Sequence, residues 1–148
     1  MDYLGNKELL NLHKTGFLSS RKCPASVVLK SYEWAKAQRQ QGNCIVCGNH
    51  STIEKDVFEI LLKGSQPLIL VLARHMKSRW DENITTALNQ NRLLIISPFP
   101  ENVKRITRET AYCRNLEIIK MCDCLTVGYV SPGGQLAKLL EKKNFSYL

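Results

Sequence analysis

At 148 residues the chain is long enough for one domain with a full hydrophobic core. Its 44% hydrophobic and 23% charged residues exclude a disordered tail, a collagen-like fibre and a coiled coil. Twenty-one Lys and Arg against 13 Asp and Glu leave a net charge of +8, a balance that favours an anionic partner such as nucleic acid or a nucleotide.

Residues 1–15 are expected to form an N-terminal helical extension, with a short helix from Lys7 to His13. Gly16 to Ser19 reads as a short strand. Pro24 to Gln41 is predicted helical, because Val27, Val28, Tyr32 and Ala35 recur near one face, and Gly42 stops it. Asn43 to Cys47 is a strand, followed by the turn Gly48-Asn49-His50-Ser51. Ser51 with Glu54 three residues later is a capping box, so a helix starts there and ends at Gly64. Leu68 to Ala73 is continuously apolar, as in a strand buried on both faces. Asp81 to Asn89 gives a weaker helix, and Arg92 to Ile96 a strand closed by Ser97 to Pro100. Asn102 to Met121 is a long helical stretch whose weak point lies near Arg114. Asp123 to Val130 is a strand, Ser131-Pro132-Gly133-Gly134 a turn, Gln135 to Lys143 a helix and Phe145 to Leu148 a last strand. There is no internal repeat, low-complexity tract or linker, so residues 1–148 are read as one domain.

Strands alternating with helices predict βαβ units and a mainly parallel, doubly wound sheet between two helical layers, an α/β Rossmann-like sandwich. Ligands of such sheets bind beyond the carboxyl ends of the strands. Three turns there follow a strand and precede a helix: Ser19-Ser20-Arg21-Lys22, Gly48 to Ser51 and Ser131 to Gly134. Backbone N–H groups at a helix start suit phosphate, glycines allow close approach, and Ser19, Ser20, Ser51 and Ser131 add hydroxyls. Arg21 and Arg114 could fork onto phosphate oxygens. An ordinary turn and cap explains any one of these loops alone.

Arg74, Lys77 and Arg79 beside Trp80 make one basic patch, and Lys104, Arg105 and Arg108 another. Charges interleaved with aromatics suit single-stranded nucleic acid, and solvated helix ends are the plain alternative. His50 reads as a cap or surface residue, or as a base or phosphate contact. His13, His50 and His75 form no metal-binding spacing. Cys44 and Cys47 have C-x-x-C spacing, and Cys122 and Cys124 form C-x-C. Residues i and i+3 of a strand point to opposite faces, so the first pair reads as core rather than as zinc ligands. No metal and no cofactor is expected. No apolar run approaches the roughly 18 residues of a membrane span, and Met1 to Glu8 has no apolar signal core, so a cytoplasmic protein without membrane contact is expected.

The order of these motifs resembles the Rossmann-like core of the DNA-processing protein A (DprA, or Smf) family, over about Phe17 to Leu148. That family lies within the superfamily that includes the lysine-decarboxylase-like "lonely guy" proteins. Phe17 to Ser26 is similar to the opening G-S-R-x-x-S element. Cys47 to Glu54 lies where the family has S-G-x-A-x-G-I-D, with Glu54 in place of Asp and Phe58 where a His is usual. Pro67 to Ala73 is similar to the T-I-A-V-L-A strand, and Leu94 to Pro100 to the stretch ending in S-E-x-P, with Pro98 for Glu. Arg114-Asn115-Leu116-Glu117-Ile118 resembles R-N-R-x-I, with Leu116 for the second Arg. Asp123 to Gly128 and Ser131 to Gly134 are similar to the closing strand and S-G-[ST] loop. The resemblance implies single-stranded DNA binding by a basic pocket at the strand ends, often as a homodimer, in DNA processing and recombination. The lonely-guy branch hydrolyses nucleotides with P-G-G-x-G-T-x-x-E. Pro132-Gly133-Gly134 keeps only P-G-G, and Glu54 and Asp56 read as first-turn helix acids.

A non-catalytic protein that binds single-stranded DNA is therefore expected. A sensor or carrier of a free nucleotide or nucleotide-derived ligand uses the same loops, and a nucleotide hydrolase lacks its acid.

Overall fold

The computed structural model describes residues 1–148. Its elements are β1 (Asp2–Gly5), a 3-10 turn (Lys7–Asn11), β2 (Lys14–Leu18), α1 (Ala25–Gln41), β3 (Cys44–Cys47), α2 (Thr52–Leu62), β4 (Leu68–Val71), α3 (Glu82–Asn89), β5 (Leu93–Ser97), α4 (Arg108–Met121), β6 (Cys124–Val127), α5 (Gln135–Leu140) and β7 (Ser146–Tyr147). One sheet takes them in the order β1-β5-β4-β3-β2-β6-β7. Only β1 runs antiparallel to its neighbour. The chain steps outward from β2 to β5, then returns through α4 to the far side of β2. The winding therefore reverses between β2 and β6, as in a Rossmann-like α/β layer.

Side chains alternate along each strand, and the two faces fill separately. Phe17, Ile45, Cys47, Leu68, Leu70, Leu93 and Ile95 meet α1, α2 and α3. Leu18, Cys44, Val46, Ile69, Val71, Leu94 and Ile96 meet α4, α5 and the 3-10 turn through Ile118, Leu136, Leu140 and Leu9. Strands β3 to β5 are buried on both faces, and each such Leu, Ile or Val side chain contributes about 1.5–3 kcal/mol of transfer free energy. Cys44 and Cys47 lie in opposite layers, so they cannot grip one ion. Burial pushes the Cys44 thiol up to about 11 and raises that of Cys47 further. No helix is long and apolar enough to cross a membrane.

The capping box at α2 forms as expected: Glu54 N–H donates to Ser51 Oγ at 3.3 Å, and Ser51 N–H to Glu54 Oε1 at 2.8 Å. Gly42 ends α1 with φ +77°. Two expectations are corrected. The extension over residues 1–15 is not mainly helical, because Asp2–Gly5 pairs with Ser97–Leu94 as the edge strand. Four exposed residues give no readable period, and the open edge of β5 decides their conformation. Helix α4 begins at Arg108, six residues after Asn102, and runs unbroken through Arg114. Thr107 starts it by a second box, accepting from Thr110 N–H at 3.1 Å and donating its own N–H to Thr110 Oγ1 at 2.8 Å. Lys104 and Arg105 consequently lie on a loop.

Candidate functional site

The loops after β3, β4 and β5 enclose a cleft of about 680 Å³ at the carboxyl ends of those strands. The loop after β4 is fastened to the loop after β5. Ser97 Oγ donates to the Arg74 carbonyl at 2.6 Å, and His75 N–H to the Val103 carbonyl at 2.8 Å. Phe58, Leu72, Ala73 and Ile84, all nearly buried, supply the apolar floor. Lys55, Arg74, Lys77, Lys104 and Arg105 line the cleft without an ion-pair partner, alongside the acids Glu59 and Asp81. Lys77 Nζ stands 5.6 Å from the centroid of the Trp80 ring.

Arg114 reaches this cleft from α4 with two of its three guanidinium nitrogens held by neighbouring side chains. It is 3% exposed. Its Nη2 donates to Glu54 Oε2 at 2.7 Å and its Nε to Asn115 Oδ1 at 2.8 Å. Glu54 in turn holds the start of α2 with its other oxygen. Gly48 serves this pair: a Cβ there would lie 1.8 Å from Arg114 Nη1 and 2.9 Å from Glu54 Oε2. Gly48 thus makes room for a guanidinium, and Ser51 is a buried cap. Asn115 likewise holds Arg114, outside the cleft lining. Asn49 and His50 do line the cleft. Burial lowers the His50 pKa, and Arg114, Arg21 and Lys55 lower it further against the opposing pull of Glu54.

At the reversal between β2 and β6 the serines brace two loops. Tyr129 N–H donates to Ser19 Oγ at 3.2 Å, Ser131 N–H to Ser20 Oγ at 2.9 Å, and Ser20 N–H to the Tyr129 carbonyl at 2.7 Å. Arg21 and Lys22 are exposed on this loop, and the field of Arg21 reaches His50. Pro132 and Gly133 form an exposed turn, and Gly134 precedes α5. The predicted residues thus divide into a cleft set and a loop set that adjoin at His50. Arg79 and Arg108 are exposed outside the cleft lining.

No family profile matches the sequence, and no curated protein matches it by sequence. Solved structures do match. DNA processing protein A from Helicobacter pylori aligns with a TM-score of 0.76 at 18% identity, over 98% of this chain and 69% of that one. DNA processing protein A from Streptococcus pneumoniae gives 0.75 at 16% identity, over 98% of this chain and 53% of that one. The fold is that of DprA. The chain therefore spans about half of the S. pneumoniae protein. A molybdenum cofactor binding protein from Rippkaea orientalis gives a TM-score of 0.58 at 11% identity, over 90% of this chain and 74% of that one. The H. pylori protein binds single-stranded DNA.

Within the DprA fold the order of motifs is regained: Arg21 follows β2, Gly48 follows β3, Arg114 lies in α4 and Ser131 to Gly134 follows β6. Sequence reading missed Lys55, Phe58, Glu59, Leu72, Ala73, Asp81, Ile84 and Ile106 as cleft residues. The apolar ones carry an ordinary core pattern and reach the cleft only because they lie at its floor. Lys55 follows the capping Glu54 by one residue and has no separate sequence signal.

Proposed function

We propose that the protein binds single-stranded DNA in the cleft at the strand ends and catalyses no reaction there. One observation carries this reading: four cations from two fastened loops, Arg74, Lys77, Lys104 and Arg105, face one cleft without acid partners. Unpaired cations beside an aromatic ring are what a phosphodiester strand needs. The single-stranded DNA binding of the H. pylori protein of the same fold supports the reading. Glu54 and Asp56, the two acids in the first turns of α2, already have structural partners, since Glu54 holds Arg114 and Asp56 accepts a hydrogen bond from Tyr32 Oη. The same reading puts the protein in the cytoplasm, in DNA processing or recombination, with a homodimer as the form to test by light scattering.

Fluorescence anisotropy of a labelled oligonucleotide at several salt concentrations tests it. Log K should fall with log salt by about 0.7 per phosphate contact, and Arg105→Ala should lower that slope by about 0.7. A salt-independent affinity overturns the reading. A carrier of a free nucleotide-derived ligand is the second reading, supported by a cleft of about 680 Å³, within the roughly 300–1,000 Å³ of small-molecule sites. Thermal stabilisation by a mononucleotide, with no oligonucleotide binding at low salt, would favour it.

A further inference from the structure

We infer that the free edge of β1 is where two copies of the chain join, strand against strand, so that two sheets become one. The inference rests on the homodimer named above for the existence of a pair. It adds the surface that makes the pair and the direction in which the two clefts then face.

Strand β1 stands last in the sheet order and pairs with β5 on one side only. The register decides which of its backbone groups are left over. Leu72 N–H donates to the Ile96 carbonyl at 2.8 Å, so Leu94 and Ile96 turn their backbone groups to β4, and Leu93, Ile95 and Ser97 turn theirs to β1. Leu4 stands opposite Ile95 and Asp2 opposite Ser97, so these two bond to β5. The N–H and carbonyl of Tyr3 therefore point away from the sheet. A donor and an acceptor on one residue of an edge strand are met by the same residue of a second copy, antiparallel about a twofold axis.

Edge strands are commonly guarded by Lys, Pro or a bulge. Asp2-Tyr3-Leu4-Gly5 has neither Lys nor Pro, and its register with β5 is unbroken. Three of the chain's six well-exposed large hydrophobic residues are here, Met1 at 61%, Tyr3 at 39% and Leu4 at 37%. Tyr3 shares a face with Ile96 and its hydroxyl lies 3.5 Å from Met1 Sδ, while Leu4 shares the other face with Ile95. A second β1 covers apolar surface on both faces at once.

Charge selects a second copy as the occupant and this edge as the place. Two chains of +8 repel one another over most approaches. Residues 1–12 carry only Lys7 against Asp2 and Glu8, so this edge adds no positive charge to the contact. The other free edge, the two-residue β7, follows Lys138, Lys142 and Lys143 with only Glu141 among them. Because β1 is antiparallel to β5, joining two β1 strands antiparallel turns the two β5 strands opposite ways. The clefts then open at opposite ends of the joined sheet, and each takes its own ligand.

Sedimentation equilibrium without DNA tests the inference. A contact this small is weak, so the range should reach about 500 μM. The mass should rise with concentration from 16.9 kDa towards twice that value. Tyr3→Pro removes only the outward N–H and leaves the β1–β5 hydrogen bonds in place, and Tyr3→Lys adds an edge guard at an exposed position. Each should weaken dimerisation by about tenfold or more with Tm nearly unchanged, and Tyr147→Lys at the β7 edge should leave it alone. A monomer at every concentration overturns the inference and the homodimer together. A dimer that Tyr147→Lys dissolves and Tyr3→Lys does not keeps the homodimer and overturns the inference. A dimer indifferent to Tyr3→Lys overturns it as well. Oligonucleotide affinity per chain, read on Tyr3→Lys by anisotropy, should match wild type. A wild type that dimerises in this way and binds no oligonucleotide removes the DNA reading and leaves the inference standing.

Discussion

Two buried arginines mark the two ends of the sheet, and they are held in different ways. Arg92, just before β5, donates Nη1 to the Gln66 carbonyl at 3.0 Å, Nη2 to the Leu62 carbonyl and Nε to Gln90 Oε1 at 3.1 Å. It meets no carboxylate, and the carbonyls at the end of α2 carry the partial negative charge that it neutralises. Lys14, at the start of β2, donates to the carbonyls of Leu10 and Leu12 at 2.8 and 2.9 Å and has the Asp123 carboxylate 3.5 Å from its Nζ. At the other end Arg114 meets a true counter-ion in Glu54, and around that pair stand Arg74, Lys77, Lys104 and Arg105 without one. Buried cations at the amino ends of the strands are saturated by the fold itself. At the carboxyl ends one ion pair is locked, and the remaining positive charge is left for something outside the chain.

The largest effect should come from the locked pair. Glu54→Ala removes the side-chain half of the α2 capping box and leaves Arg114 buried without a counter-charge, a loss of about 3–5 kcal/mol by urea unfolding. For a chain of this length, that lowers Tm by about 2–4 °C per kcal/mol. Glu54→Leu combined with Arg114→Met removes both charges and should cost less than Glu54→Ala alone. A double variant as unstable as the sum of its parts would show that the pair is not coupled. Gly48→Ala should cost about 1–3 kcal/mol by overpacking the guanidinium, and should cost much less in an Arg114→Ala background. If the two losses simply add, Gly48 is small for another reason.

How much of this was legible depended on which interactions were local. The strands β3, β4 and β5 announced themselves as Ile45-Val46, Leu68 to Val71 and Leu93 to Ile96, and the Ser51–Glu54 box starts α2 where the spacing put it. Edge strand β1 was not legible, because its conformation is fixed by pairing 89 to 95 residues away in the sequence. The loop cations could be read, but not which were free. Arg114 and Arg105 look alike in a sequence, and only the fold brings Glu54, 60 residues upstream, onto the first. The apolar floor was hidden for a related reason: Phe58 and Ile84 follow core periodicity, and only their position at the sheet's end makes them part of a cleft.

The two ends should also part in what their mutation disturbs. Arg92→Ala should lower stability by about 1.5–3 kcal/mol, through lost charged hydrogen bonds, and leave oligonucleotide affinity alone. Lys104→Ala should do the reverse, shifting stability by no more than about 0.5 kcal/mol while weakening binding and flattening its salt dependence. Urea titration and anisotropy on the same two variants read both quantities. A Lys104→Ala protein that binds as wild type, or an Arg92→Ala protein that unfolds as wild type, would remove the contrast between the ends.

The smallest expected effect concerns protons at the boundary between the cleft and the β2 loop. Burial holds the His50 pKa below its ordinary 6.5, helped by Arg114, Arg21 and Lys55 and opposed by Glu54. A phosphate entering the cleft brings negative charge to a group that its neighbours keep neutral, and so raises that pKa in the complex. A group whose pKa rises on binding takes up a proton as the ligand arrives. Affinity must then increase as pH falls through the bound-state value, and level off below the free-state value, which lies under 6.5. The probe should be an oligonucleotide without a terminal phosphate, because phosphodiesters do not titrate in this range and any slope then belongs to the protein. Between about pH 7.5 and 5 the gain should stay below about tenfold per pH unit, the limit for one proton. His50→Gln should flatten it while keeping the salt dependence, which the rim cations set. A flat wild-type profile would mean that the bound phosphate stays away from His50, and would confine the ligand to the part of the cleft between Trp80 and Arg105.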